Sequence, residues 1–125
     1  MEQREQIISN YIKAYNNFDI RQMVADFDNS VVFENRSNGA VTLTLKGINA
    51  FTGQATQAVD LFSKRTQTIL SFKHEENSSE IEISYHAQLA MDLPNGMKKG
   101  EELQLKGKSV FTFSGNKIIG LTDIS

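Results

Sequence analysis

The stretch Ser30-Val-Val-Phe-Glu-Asn-Arg-Ser-Asn-Gly39 runs from apolar residues into a carboxylate, an amide and a guanidinium. A carboxylate in an apolar setting can carry a proton between substrate atoms, whereas an amide can only donate and accept hydrogen bonds. Strand alternation separates the two: if Phe33 faces inward then so does Asn35, and Val32 and Glu34 take the opposite face. Further groups with chemical potential are Tyr11, Tyr85, His86, Ser109 and Asp123. The absence of cysteine excludes thiol nucleophiles, disulfides and thiolate metal sites, and two histidines cannot make a three-histidine zinc centre, so no metal site is expected.

Composition narrows the setting for these groups. A chain of 125 residues forms one domain, spanning 1–125, with a single core. Hydrophobic residues at 39% and charged residues at 22% match a globular protein, and a net charge of −2 gives no electrostatic case for nucleic acid. The basic pairs Lys64-Arg65 and Lys98-Lys99 read as solvated surface. The opening MEQREQ is charged where a signal peptide would be apolar, and no apolar run of about 18 residues occurs, so membrane partners are not expected and the location is expected to be cytoplasmic.

Several elements must position the candidate residues. Ile7, Ile8, Tyr11, Ile12 and Tyr15 keep helical spacing within residues 2–17. Asp19 can cap a second short helix with Ile20, Met23, Val24 and Phe27 inward, ended by Asp28-Asn29. The opening stretch is then a strand, and Asn38-Gly39 turns it into the alternating run Ala40–Lys46. After Gly47, the residues Ile48, Phe51, Ala55, Ala58, Val59 and Phe62 mark a third helix. Strands follow at 66–74, at 81–93 with its odd positions apolar, at about 99–113 and at 117–124. Helices followed by long antiparallel strands define an α+β fold, and strands this long must curl into a cone with a cavity.

Within that cone, Tyr11, Asn35, Tyr85 and Ser109 would be the few polar groups among Phe, Leu, Ile and Met, a lining suited to a mostly apolar ligand with one or two oxygens. Each has a plainer reading as well. Tyr11 could be core packing, Asn35 a cap for the hairpin, and Ser109 a small residue making room for Phe111. His86 is out of phase with Tyr85 and Ala87 and belongs to the outer face. Asp123 is a candidate acid whose phase stays open, because Ile118, Ile119, Leu121 and Ile124 fix no single inner face.

The order of elements and two passages, "YIKAYNNFDIRQMVADFDNSVVFEN" and "SVFTFSGNKIIGLTDI", resemble the nuclear transport factor 2-like superfamily, which includes ketosteroid isomerases, SnoaL-type polyketide cyclases and scytalone dehydratase. The resemblance implies a cystatin-like cone of antiparallel sheet covered by three helices. It implies that Tyr11 stands at the isomerases' oxyanion tyrosine, Asn35 at their proton-shuttling acid and Ser109 at their second oxyanion acid. An amide at 35 cannot shuttle a proton, so the usual isomerase mechanism is not expected.

The leading expectation is therefore a cofactor-free binding cone for a small apolar or aromatic molecule, contacted by Tyr11, Phe33, Asn35, Tyr85, Ser109 and Phe111. The alternative is an isomerase, cyclase or dehydratase using Tyr11 with Asp123 or Glu34; an inward Asp123 or Glu34 would favour it. A homodimer through the outer sheet face, near Ala90, Val110 and Thr112, is expected as well, because an open sheet face invites pairing.

Overall fold

The structure, a computed structural model, describes residues 1–125. In chain order its elements are α1 (Glu2–Asn16), α2 (Ile20–Met23), β1 (Phe27–Ser37), β2 (Ala40–Lys46), α3 (Ile48–Val59), β3 (Phe62–His74), β4 (Ser78–Leu89), β5 (Glu102–Ser114) and β6 (Lys117–Ile124). The strands form one six-stranded sheet in the order β2-β1-β6-β5-β4-β3. Neighbours are antiparallel except β1 and β6, which run parallel. The curled sheet is thus mixed and unclosed rather than wholly antiparallel: the last strand returns beside the first, and β2 and β3 are free edges. No helix is long and apolar enough to cross a membrane.

Local chemistry explains the turns. The Asp19 side chain accepts from the Gln22 backbone N–H at 3.1 Å and starts α2. Asn38 and Gly39 both take positive φ, 54° and 81°, the pair of left-handed residues that a two-residue hairpin needs. The core forms where α1 lays Ile7, Ile8, Tyr11 and Ile12 against Ile81, Phe111, Ile118 and Leu121 of the sheet.

Several boundaries differ from expectation, and β4 begins at Ser78 rather than at 81. The second helix is a single turn, and Phe27 opens β1; Asp28 accepts from both the backbone N–H and the hydroxyl of Ser30, which bends the strand without ending it. Phe62 belongs to β3 rather than the third helix, because it pairs across the sheet with Leu89. β4 stops at Leu89 although alternation continues to Leu93. Asp92 instead accepts from the Lys99 backbone at 2.8 Å and holds a loop that leaves Met91 44% exposed. β5 correspondingly begins at Glu102.

Candidate active site

Two adjoining chambers open on the concave face. The first, of about 180 Å³, is bordered by Tyr11, Phe33, Asn35, Leu43, Leu45, Phe51, Arg65 and Asp123, among others. The second, of about 210 Å³, is bordered by Gln67, Tyr85, Ser109 and Asp123 with the middle of β5 and the end of β6. Tyr15, Asn35 and Asp123 belong to both walls and stand where the chambers meet.

Sheet register settles the phase of Asp123. β6 lies between β1 and β5, and Asp123 pairs with Asn35 on one side and Ser109 on the other, so the three share one inward row. The signal was hidden by a bulge: Thr112 pairs with Gly120 but Phe113 pairs with Ile118, which leaves Ile119 as an extra residue and changes the phase of β6 midway. Ile118 and Leu121 are consequently both buried, although three residues apart.

The Ser109 hydroxyl donates to Asp123 Oδ1 at 2.7 Å. Burial pushes the Asp123 carboxyl up to about 6, and the Ser109 hydrogen bond opposes part of that rise. The side chain keeps some accessible surface because it borders the cavity, while protein surrounds the carboxyl group. Its Oδ2 accepts no hydrogen bond from the protein and remains available to a ligand.

Tyr11 is 7% exposed, stacked on Phe27 and met edge-on by Phe111, each with centroids 5.6 Å away. Burial, followed by the nearby charge of Asp123, raises its pKa well above the ordinary tyrosine value, so it stays a neutral donor. Its hydroxyl has no protein partner and borders the first chamber. Core packing and a place at the cavity are therefore combined in one residue.

The other predicted residues fall as follows. Phe33 borders the first chamber with its ring 5.5 Å from that of Phe51. Asn35 serves the hairpin and the cavity at once: Nδ2 donates to Thr42 Oγ1 at 2.8 Å while the residue borders both chambers. Tyr85 accepts from the Tyr15 hydroxyl at 3.0 Å and its pKa is raised, by burial first. Ser109 is 2% exposed and reaches the second chamber through its bond to Asp123. Phe111 borders neither chamber; two residues deeper along β5 than Ser109, it is fully buried beneath Tyr11 and supports the site from behind. Glu34 is held by Arg36 Nε at 2.6 Å and borders neither chamber, and His86 pairs with Glu102 at 3.1 Å, also outside them.

Arg65 overturns its sequence reading. It is 3% exposed, not solvated, with its guanidinium over the rings of Tyr15 at 3.7 Å and Phe18 at 4.5 Å. Gln67, on the same face of β3, is buried too, and its Oε1 has no hydrogen-bond partner. Counting back by twos from Ile69 would have placed both inward, but a charged pair beginning at Lys64 masked the alternation.

A SnoaL-like domain model matches residues 8–121, and the chain belongs to that family. Solved structures of the same fold include a candidate polyketide cyclase from Xanthomonas campestris pv. campestris (TM-score 0.83, 17% identity, 99% of this chain and 90% of that one). A candidate SnoaL-like polyketide cyclase from Jannaschia sp. CCS1 superposes with a TM-score of 0.82 at 9% identity, over 98% of this chain and 84% of the other. A candidate hydroxylase from Streptomyces galilaeus does so with a TM-score of 0.78 at 14% identity, over 98% and 88%. Likeness at such identities establishes the shared fold, which also includes a cystatin-fold protein from Novosphingobium aromaticivorans. No curated protein matches the sequence.

Proposed function

We propose that the protein is an acid–base enzyme of the cyclase or isomerase kind, acting on a small, mostly apolar carbonyl compound. The observation that carries this reading is Asp123: a carboxylate in an apolar cavity, fixed through one oxygen by Ser109 at 2.7 Å and free at the other. Its pKa near 6 leaves it mostly ionised at neutral pH, ready to take a proton and still acidic enough to return it. Asp123 would remove a proton from the carbon next to a substrate carbonyl. The C–H electron pair becomes the carbon–carbon double bond of an enolate, and the carbonyl oxygen takes the charge, stabilised by the Tyr11 hydroxyl. Where the enolate is conjugated with a further double bond, the protonated Asp123 returns the proton to the far carbon and the double bond shifts; otherwise the enolate carbon attacks a second carbonyl, whose oxygen receives the proton from Asp123. This scheme uses side chains alone. The candidate cyclases and candidate hydroxylase among the similar folds support this kind of function.

A pure binding module is the second reading, favoured by the amide at position 35, where the ketosteroid isomerases that the sequence resembles carry an acid. Solvent deuterium exchange separates the two. With a panel of cyclic ketones, 1,3-diketones and phenols, the wild-type protein should accelerate exchange at the activated carbon, and Asp123→Asn should lose that acceleration. Binding of panel members without any exchange would leave the module. Pairing of two copies through the outer sheet face is part of the same proposal: Val32, 40% exposed, lies in one row with Gly120 and Thr112. Sedimentation of the protein with and without Val32→Lys tests it, a dimer lost to monomer being the supporting result and an unchanged monomer the opposing one.

A further inference from the structure

Arg65 is a buried permanent cation without an anion. The ion pairs of the protein are Glu34 with Arg36, Lys73 with Glu75, Lys98 with Asp92 and Lys108 with Glu80, two further carboxylates, Glu5 and Glu102, meet His74 and His86, and Arg65 is in none of these contacts. Its Nε donates to the Tyr15 carbonyl at 2.9 Å, in the last turn of α1, where the helix dipole favours a cation. The rings of Tyr15 and Phe18 meet its flat face. These contacts satisfy one edge and the face, and account for the arginine as a fastener of α1. They leave the terminal nitrogens: Nη2 has only the Met23 sulfur at 4.0 Å, and Nη1 has no protein partner. A guanidinium cannot shed its charge by deprotonation, and buried charges are ordinarily paired.

Asp123 does not fill that place. It borders the same chamber but lies beyond ion-pair distance, and its single side-chain hydrogen bond comes from Ser109. The rest of that chamber's wall is mostly apolar, with Phe33, Leu43, Leu45 and Phe51; Tyr11, Asn35 and Gln54 add neutral polar groups, and Arg65 is its one cation. A planar fork with two free nitrogens matches the two oxygens of a carboxylate.

We propose that the cavity takes a ligand bearing a carboxylate, bound by the free nitrogens of Arg65, with an aromatic or other apolar body lying against Phe33 and Phe51 and reaching Asp123. This names the substrate class for the activity proposed above and rests on the same cavity, but its recognition step does not depend on Asp123.

The experiment compares acids with their near-isosteric neutral amides, 2-naphthoate with 2-naphthamide and benzoate with benzamide, by titration calorimetry at pH 7.5. The wild-type protein should bind at least one acid roughly ten-fold more tightly than its amide, about the worth of one charge-assisted pair. Arg65→Met should erase the preference and Arg65→Lys should retain part of it. Because Arg65 also fastens α1, a second readout uses the wild-type protein alone: the Arg65 Nε–H resonance should shift on adding 2-naphthoate and stay in place with 2-naphthamide. Asp123→Asn should keep the acid preference while losing deuterium exchange, so that failure of the activity and failure of the carboxylate seat are told apart. Equal affinity for acid and amide, no binding of either acid at millimolar concentration, or a preference that survives Arg65→Met would overturn the proposal.

Discussion

Two clusters on this sheet pair a hydroxyl with a titratable side chain, and they behave oppositely. In the first, His74 bonds Ser79 Oγ through Nδ1 and Glu5 through Nε2, both at 2.7 Å, a serine, a histidine and an acid that look like hydrolase machinery. Ser79 is fully buried, however, and both ring nitrogens are engaged. Arg4 reinforces the same spot by donating to the carbonyls of Glu75, Glu76 and Ser78. This cluster clamps the start of α1 to the β3–β4 hairpin. In the second, Ser109 holds one oxygen of Asp123 while the other oxygen, the Tyr11 hydroxyl and Arg65 Nη1 lack protein partners around a cavity, and Arg65 Nη2 has only the Met23 sulfur. A satisfied network stabilises; the groups left without partners are those available to a ligand.

The contrast is broken most sharply by neutralising each cluster in turn. Asp123→Asn keeps the shape and can still accept from Ser109, yet should lower exchange or turnover by roughly 100-fold or more, the usual worth of a positioned proton carrier. His74→Gln should change the same rate less than about two-fold. Tyr11→Phe removes one oxyanion donor and should lower kcat by about 10- to 100-fold with little change in KM, because its bond strengthens as charge develops on the carbonyl oxygen.

Stability should show the reverse ranking for the clamp. His74→Ala forfeits two part-buried hydrogen bonds and should cost about 1 kcal/mol in urea unfolding. Asp123 acts against the fold at neutral pH. Its folded pKa of about 6 exceeds the ordinary 3.8, so its favourable contribution is complete below about 3.8 and is lost as pH rises through about 6. Asp123→Asn should therefore gain on the order of 2 kcal/mol over wild type at pH 7.5, and that advantage should shrink toward pH 4. The smallest effect belongs to Ser109→Ala. Removing the hydrogen bond that lowers the Asp123 pKa should move the acidic limb of the pH–rate profile upward by a fraction of a unit to about one unit.

Much of this arrangement was legible from residue types and spacing. The helix through Tyr11, the Asn38-Gly39 hairpin and the inward row of Phe33 and Asn35 follow from local periodicity, which the structure preserves. What escaped was set by contacts between distant strands. Asp123 could not be phased, because the extra residue at Ile119 is visible only once β5 and β6 are paired. Arg65 was misread, because a charged residue beside Lys64 looks solvated until α1 brings Tyr15 and Phe18 onto its faces. Phe111 shared the phase of Ser109 but lies under Tyr11, since phase gives the face of a strand and not the depth along it. With Asp123 inward, the weight passes from the binding cone to the acid–base enzyme.

The central claim is that Asp123 is a proton carrier tuned by its apolar setting, and carboxyl carbon NMR of the wild-type protein tests it most directly, with Asp123→Asn assigning the resonance. A midpoint near the value of about 6 set by burial is the predicted result, and titration at the ordinary 3.8 would contradict the account.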